Sequence, residues 1–162
     1  AIQLVFGIDP GPRPGLAWLA DGALIGTAQL ESADDIAAHI SGLKTSVPHR
    51  RLVVKIGDGA PLIRDRIIND CLDRNMTVLE VSERKTSRGS RVKAHLHAAT
   101  RIALQGGQKV IEHREITPTD GNLREIQRQS RIESSGRVTI SSELAYLVAI
   151  GELTLEAAIK KA

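Results

Sequence analysis

Two apolar runs, residues 16–20 and 23–30, are separated by Asp21-Gly22 alone. That spacing predicts a β-hairpin, since a type I′ turn needs positive φ at both central positions and Asp-Gly tolerates it. The run before them, Ile2-Gln-Leu-Val-Phe-Gly-Ile-Asp9, reads as a buried strand ending at an acid. Pro10-Gly11-Pro12-Arg13-Pro14-Gly15 joins it to the hairpin as a short stiff loop. Three consecutive antiparallel strands therefore open the chain.

Alternation follows. Ser32 caps a helix through about residue 43, with Asp34 and Asp35 in the first turn, where the helix dipole favours acid. Residues 51–56 form an apolar strand, and Gly57-Asp58-Gly59 ends it. Pro61 starts a helix through about residue 74, Asn75 supplies a left-handed cap, and residues 77–81 are the next strand. A basic loop over 82–90 leads into a helix over 91–104, which Gly106-Gly107 stops. The order β-β-β-α-β-α-β-α predicts an α/β fold: a mixed sheet of three antiparallel strands then two parallel strands, with helices on both faces.

The last third changes character. Residues 109–112 read as a short strand. Helices are expected from Thr119 or Asp120 to Arg131, over 143–150 and over 154–160, set off by Ser134-Ser135-Gly136 and Gly151. This divides the chain into an α/β domain, 1–107, and a small helical C-terminal extension, 108–162, resembling a helix-turn-helix in style.

A chain of 162 residues can bury a sizeable core without disulfide or metal, and the lone Cys71 lies mid-helix among apolar residues. No run approaches a membrane span and no basic leader precedes an apolar stretch. The expectation is a soluble, cytoplasmic protein. One Phe, one Trp and one Tyr in the whole chain exclude the aromatic platforms on which RRM and OB-fold proteins stack single-stranded bases. The formal charge of +3 is unevenly spread: residues 84–109 hold seven Lys or Arg, with His95 and His97, and no acid. A basic block on a near-neutral body points to an anionic partner, nucleic acid first, against the plainer reading of a solvated loop.

The chemistry-bearing residues lie at strand ends. Asp9 closes the first strand, next to Pro-Gly, in the crevice where open α/β sheets place their sites. Asp58 closes the fourth, which the predicted order makes a neighbour of the first. Two carboxylates so placed suit a hard cation, Mg²⁺ or Mn²⁺, and hence phosphodiester cleavage; the plain alternative is a pair of ordinary turns. His97 is the better placed of the two histidines as third ligand or general base, against a surface role. Glu80 reads as solvent-facing, and Glu83 as a reserve carboxylate. Walker, dinucleotide-binding, zinc-cysteine and nucleophile-elbow motifs are all missing from the sequence.

Gly7-Ile8-Asp9-Pro10-Gly11, followed by Gly15-Leu16-Ala17-Trp18 and the Asp21-Gly22 hairpin, resembles the opening of RuvC-type Holliday-junction resolvases of the ribonuclease H-like superfamily. Val78-Leu-Glu-Val-Ser-Glu-Arg-Lys-Thr-Ser-Arg-Gly-Ser-Arg and His97-Ala98-Ala99-Thr100-Arg101-Ile102-Ala103-Leu104 are similar to that family's fifth strand, basic loop and closing helix. The likeness covers about residues 2–105. It implies a ribonuclease H-like fold and a metal-dependent endonuclease on structured or branched DNA, in recombination and repair. The metal would be held by Asp9, Asp58 and His97, and phosphates contacted by Lys85, Arg88, Arg91 and Lys93. Cutting a junction on two strands implies a homodimer. The family's second acid, usually Glu, sits on the fourth strand, where this chain has Lys55-Ile56-Gly57-Asp58; its closing helix carries acid, where this chain has none. A nucleic-acid-binding protein of the same fold without catalysis is therefore the competing expectation. A sugar-kinase or actin-type phosphate domain is disfavoured by length, and a scaffold role is left open.

Overall fold

The computed structural model describes residues 1–83 and 94–162, with residues 94–96 described by their backbone alone. The strands are β1 (Gln3–Asp9), β2 (Gly15–Ala20), β3 (Ala23–Gln29), β4 (Arg51–Gly57), β5 (Thr77–Val81) and β6 (Gln108–Val110). The helices are α1 (Ile36–Lys44), α2 (Pro61–Asp73), α3 (Ala94–Leu104), α4 (Asp120–Glu133), α5 (Ser142–Ala149) and α6 (Leu155–Lys161). The chain forms two compact units, Ala1–Arg114 and Glu115–Ala162.

The first unit is built on a six-stranded mixed sheet of order β3-β2-β1-β4-β5-β6. β1 is antiparallel to β2, and β2 to β3; β4 is parallel to β1, and β5 to β4. This is the expected mixed sheet, three antiparallel strands followed by two parallel ones. β6 adds one antiparallel strand beyond β5, with Val78 opposite Val110. Gln108–Val110 thus belongs to the sheet, and its hydrogen bonds to β5 shield an otherwise open edge. The hairpin turn is as the Asp-Gly pair predicts, with φ of 48° at Asp21 and 84° at Gly22. The Asp21 carboxylate also accepts the backbone N–H groups of Gln3 (2.9 Å) and Ile2 (3.1 Å), tying the turn to the start of β1. These bonds, that from Gln3 foremost, hold its carboxyl below the usual range.

Alternation along β1 sorts the core into two faces. Leu4, Phe6 and Ile8 are fully buried in the larger cluster, with Ile36 and Ile40 of α1 and Ile67, Ile68 and Cys71 of α2. Val5 turns the other way and packs with Ala17, Leu19 and the α3 residues Ala99 and Ala103. Helices therefore cover both faces. Ser32 caps through its side chain, as expected, but the turn it caps is a 3₁₀ turn (Ala33–Asp35) that leads into α1. Asn75 takes the left-handed cap after α2, with φ of 60°.

The second unit is three helices. Thr119, Ser141 and Thr154 each cap one with a side-chain oxygen, and Thr119 and Asn122 form a reciprocal capping box. Left-handed Ser135 and Gly136 end the turn after α4, and Gly151 the turn after α5. Ile140, Ala145 and Ala158 form its core, with Leu123, Ile126, Leu144, Val148 and Ile159 packed around them. Ser130 is fully buried: its hydroxyl donates to the Gln127 carbonyl (2.6 Å) and accepts from the Ile140 N–H (3.1 Å). Ser130→Ala leaves that buried N–H unpaired and is expected to cost about 2 kcal/mol. Urea titration checks this, since Tyr146 reports the helical unit and Trp18 the sheet: the Tyr146 midpoint should fall and the Trp18 midpoint hold.

Among the described residues, no helix is long and apolar enough to cross a membrane.

Candidate active site: three strand ends and their carboxylates

The parallel strands β1, β4 and β5 lie side by side at the centre of the sheet. Their carboxyl ends fall at one edge: β1 ends at Asp9, β4 at Gly57 immediately before Asp58, and β5 at Val81, two residues before Glu83. Each strand end delivers one half-buried acid. Asp58 Oδ1 accepts the backbone N–H of Glu83 at 2.9 Å, which ties the loop after β4 to the loop after β5. The Glu83 carboxyl is hydrogen-bonded to the Asp9 side chain and accepts the Gly59 N–H.

Glycine makes this approach feasible. A Cβ at Gly57 or Gly59 would strike the Glu83 carboxyl group itself, so both positions form a cradle that only a bare backbone leaves open. The Gly-Asp-Gly of the sequence thus has a spatial reason: the acid between the glycines accepts the Glu83 N–H while the glycines admit the Glu83 carboxyl.

Three acids this close repel. Burial, the hydrogen bond with Asp9 and the negative charges of Asp9 and Asp58 together push Glu83 from its ordinary value of 4.5 up to about 7, against the opposing pull of the Gly59 N–H. Near neutral pH a proton is therefore held between Glu83 and Asp9. The sign of the linkage is opposite to that of an ion-paired carboxylate. Stability from this group is complete below about pH 4.5 and is lost as pH rises through about 7. Glu83→Gln keeps a donor toward Asp9 and an acceptor for Gly59 but cannot ionise. It is expected to flatten the pH dependence and to raise stability at pH 8 by roughly 1 kcal/mol, a figure reduced for the solvent access of a half-buried group. Thermal melts at pH 5 and pH 8 measure this: a gain at pH 8 and little change at pH 5 is the expected pattern.

His97 lies exposed on α3. Lys85, Arg88, Arg91 and Lys93 lie outside the described residues. Glu80 is not solvent-facing as expected. It is half-buried on β5, with Arg114 at 2.6 Å and Arg64 at 3.8 Å. The parity of the strand explains this: Glu80 pairs in register with Ile56, which lies on the core side of β4. Lys55 stands beside Gly7 in the β1–β4 register, and its ammonium donates to carbonyls at the end of α3, that of Ala103 (3.1 Å) and that of Gln105 just beyond the helix. A cation there complements the negative end of the helix, and burial pulls its pKa down. The fourth strand thus presents a helix-anchoring lysine two residues before its last residue, Gly57, and the acid, Asp58, follows the strand in the bend.

Glu83 is the residue that sequence reasoning undervalued. The signal is its position: it lies two residues beyond β5, as Asp58 lies one beyond β4, and both strands run parallel in the sheet with β1.

Comparison with known proteins gives limited likeness. A family model described as a three helical bundle domain matches residues 119–162, the segment that forms α4 to α6. A solved structure of RuvC from Thermus thermophilus aligns over 66% of this chain and 99% of its own, with a TM-score of 0.46 and 14% sequence identity. This is a distant structural likeness. No curated protein matches the sequence.

Proposed function

We propose that the sheet unit is a metal-dependent endonuclease acting on structured or branched DNA, with Asp9, Asp58 and Glu83 as its acidic centre. The observation that carries this reading is the gathering of one carboxyl group from each of three adjacent parallel strand ends, with Asp58 bonded to the Glu83 N–H and Glu83 to the Asp9 side chain. Structural stability gives no reason for such a cluster, because like charges at close quarters oppose folding.

The donor set suits Mg²⁺ or Mn²⁺: carboxylate oxygens are hard ligands, and the bare Gly57 and Gly59 backbones let the Glu83 carboxyl lie against the loop that carries Asp58. Among the described residues no three His, Cys, Asp or Glu side chains are arranged to enclose a metal as they stand. The proton in the Asp9–Glu83 hydrogen bond would have to leave before both acids could act as ligands. When bound, such a cation supplies charge neutralisation at the scissile phosphate and a more acidic water. The chain's own residues then have separate tasks. Asp9 is fixed by the last residue pair of β1 with β2, opposite Gly15. Asp58 is fixed by the Glu83 N–H. Glu83 holds or gives up a proton at its carboxyl oxygen near neutral pH, the range in which a general acid or base works best. Lys85, Arg88, Arg91 and Lys93 follow Glu83 directly in sequence. Their proposed task is to contact phosphates, which positions DNA without reading its bases. Symmetric cutting of a junction then calls for two copies of the chain.

A second reading, nucleic-acid binding without catalysis, is favoured by the lack of any acid on α3 and the exposure of His97. Labelled four-way junction, duplex, single strand and RNA–DNA hybrid, each incubated with Mg²⁺, Mn²⁺ or EDTA, separate the two. Cleavage of the junction with either cation and none with EDTA is the expected result. Salt-sensitive binding without cleavage in any metal would establish the second reading instead.

A further inference from the structure

We infer that Arg64 is a positioning residue, which sets the Asp58 loop through a four-charge cluster; the inference rests on the acidic centre proposed above. Arg64 Nη1 donates to the Asp58 backbone carbonyl at 2.8 Å. The rest of its guanidinium fork is held by Asp65, with Nε to Oδ1 at 2.8 Å and Nη2 to Oδ2 at 3.3 Å. Arg114 grips the same partners from the other side, with Nη1 at 3.0 Å from Asp65 and 2.6 Å from Glu80. Arg114 is itself locked by its backbone: its N–H donates to Asn69 Oδ1 (2.7 Å) and its carbonyl accepts from Asn69 Nδ2 (2.9 Å).

Two cations and two anions thus join α2, β5 and the chain after β6. Arg64 and Asp65 side chains are only 15% and 17% exposed. A cluster so enclosed adds little to stability, because desolvation offsets most of its attraction. Its reach explains its presence better. Arg64 ends on Asp58, and Glu80 stands three residues before Glu83 on the same strand exit. Asp58 and Glu83 are in turn joined by the 2.9 Å bond from the Glu83 N–H. The spacing of two site acids is therefore set by one guanidinium whose own orientation is fixed at both ends. The loop needs such a brace. Ala60, between Asp58 and α2, has φ of 44°, a left-handed conformation that a residue with a Cβ adopts only under constraint.

The fork geometry is the discriminating feature. Lysine keeps the charge for Asp65 but cannot reach both Asp65 oxygens and the Asp58 carbonyl from one planar fork. In the full chain, Arg64→Met is expected to raise hydrogen exchange at the Glu83 amide about tenfold, with the amides of Leu4 and Val54 unchanged, and to weaken binding of Mn²⁺ alone about tenfold. Arg64→Lys should fall between. Equal acceleration at all three amides, or no change at Glu83, would show a merely structural residue and overturn the inference. If the unaltered protein binds no Mn²⁺ while the Glu83 amide still responds to Arg64→Met, the positioning role stands and the metal reading fails.

Discussion

Asp9→Asn is expected to lower metal-dependent cleavage by about a thousandfold or more, equivalent to about 4 kcal/mol on the barrier, while the fold and DNA binding persist. The substitution is nearly isosteric, so β1 and its pairing with Gly15 are retained. What changes is charge. One of the three carboxyl groups of the proposed acidic centre is lost, and the Asn amide donates to Glu83 where the proton between the two acids stood. The same variant therefore carries a second signature that needs no substrate. Asp9 supplies both a hydrogen bond and a charge that raise Glu83. Removing them should return the Glu83 titration toward its ordinary value and raise stability at pH 8 relative to pH 5. Gel-based cleavage rates and ¹³C titration of the Glu83 carboxyl measure the two effects. Full cleavage activity in Asp9→Asn would remove Asp9 from the chemistry.

The largest expected loss of stability lies two residues earlier. Gly7 faces α3, and a Cβ built on it would overlap the Ala99 carbonyl and stand 2.7 Å from the Ala103 Cβ and 2.8 Å from the Ala103 nitrogen. Those are backbone and helix-core atoms, so no flexible side chain can yield. Gly7→Val must push α3 off the sheet, breaking the packing of Val5, Ala17 and Leu19 on Ala99 and Ala103. Overpacking of this kind is expected to cost about 3 kcal/mol or more, against a total stability of about 5–15 kcal/mol for a typical domain. Trp18 fluorescence in a urea titration measures it. A midpoint within error of the unaltered protein would show that α3 does not sit on Gly7 as described.

These two residues, with Ile8 between them, show what a sequence can and cannot convey. Apolar alternation, Asp-Gly at the hairpin, Ser and Thr at helix starts and Gly or Asn at helix ends are local signals. They placed every strand and helix of the sheet unit to within a few residues. The mixed sheet followed because a hairpin meander and later helical crossovers admit few arrangements. Asp9 and Asp58 were legible for the same reason: each directly follows an apolar run. Glu83 was named only as a reserve, because its importance depends on a parallel β4–β5 register and on two glycines that let its carboxyl approach, and neither is local. His97 was favoured because a helix without acid left an imidazole as the nearest candidate; spacing along a helix does not tell how that helix turns on the sheet. Glu80 was misjudged on parity. Alternation gives which neighbours share a face, while the face that is solvated depends on what packs there, in this case Arg64 and Arg114.

The most direct test of the acidic centre is calorimetric titration of the full chain with Mn²⁺ at pH 6.5, in two buffers of different ionisation enthalpy. Asp9, Asp58 and Glu83 should bind the cation and release close to one proton, that held between Glu83 and Asp9, and both the binding and the release should be lost in Asp9→Asn. Absence of Mn²⁺ binding, or binding with no proton release and no response to Asp9→Asn, would contradict the account.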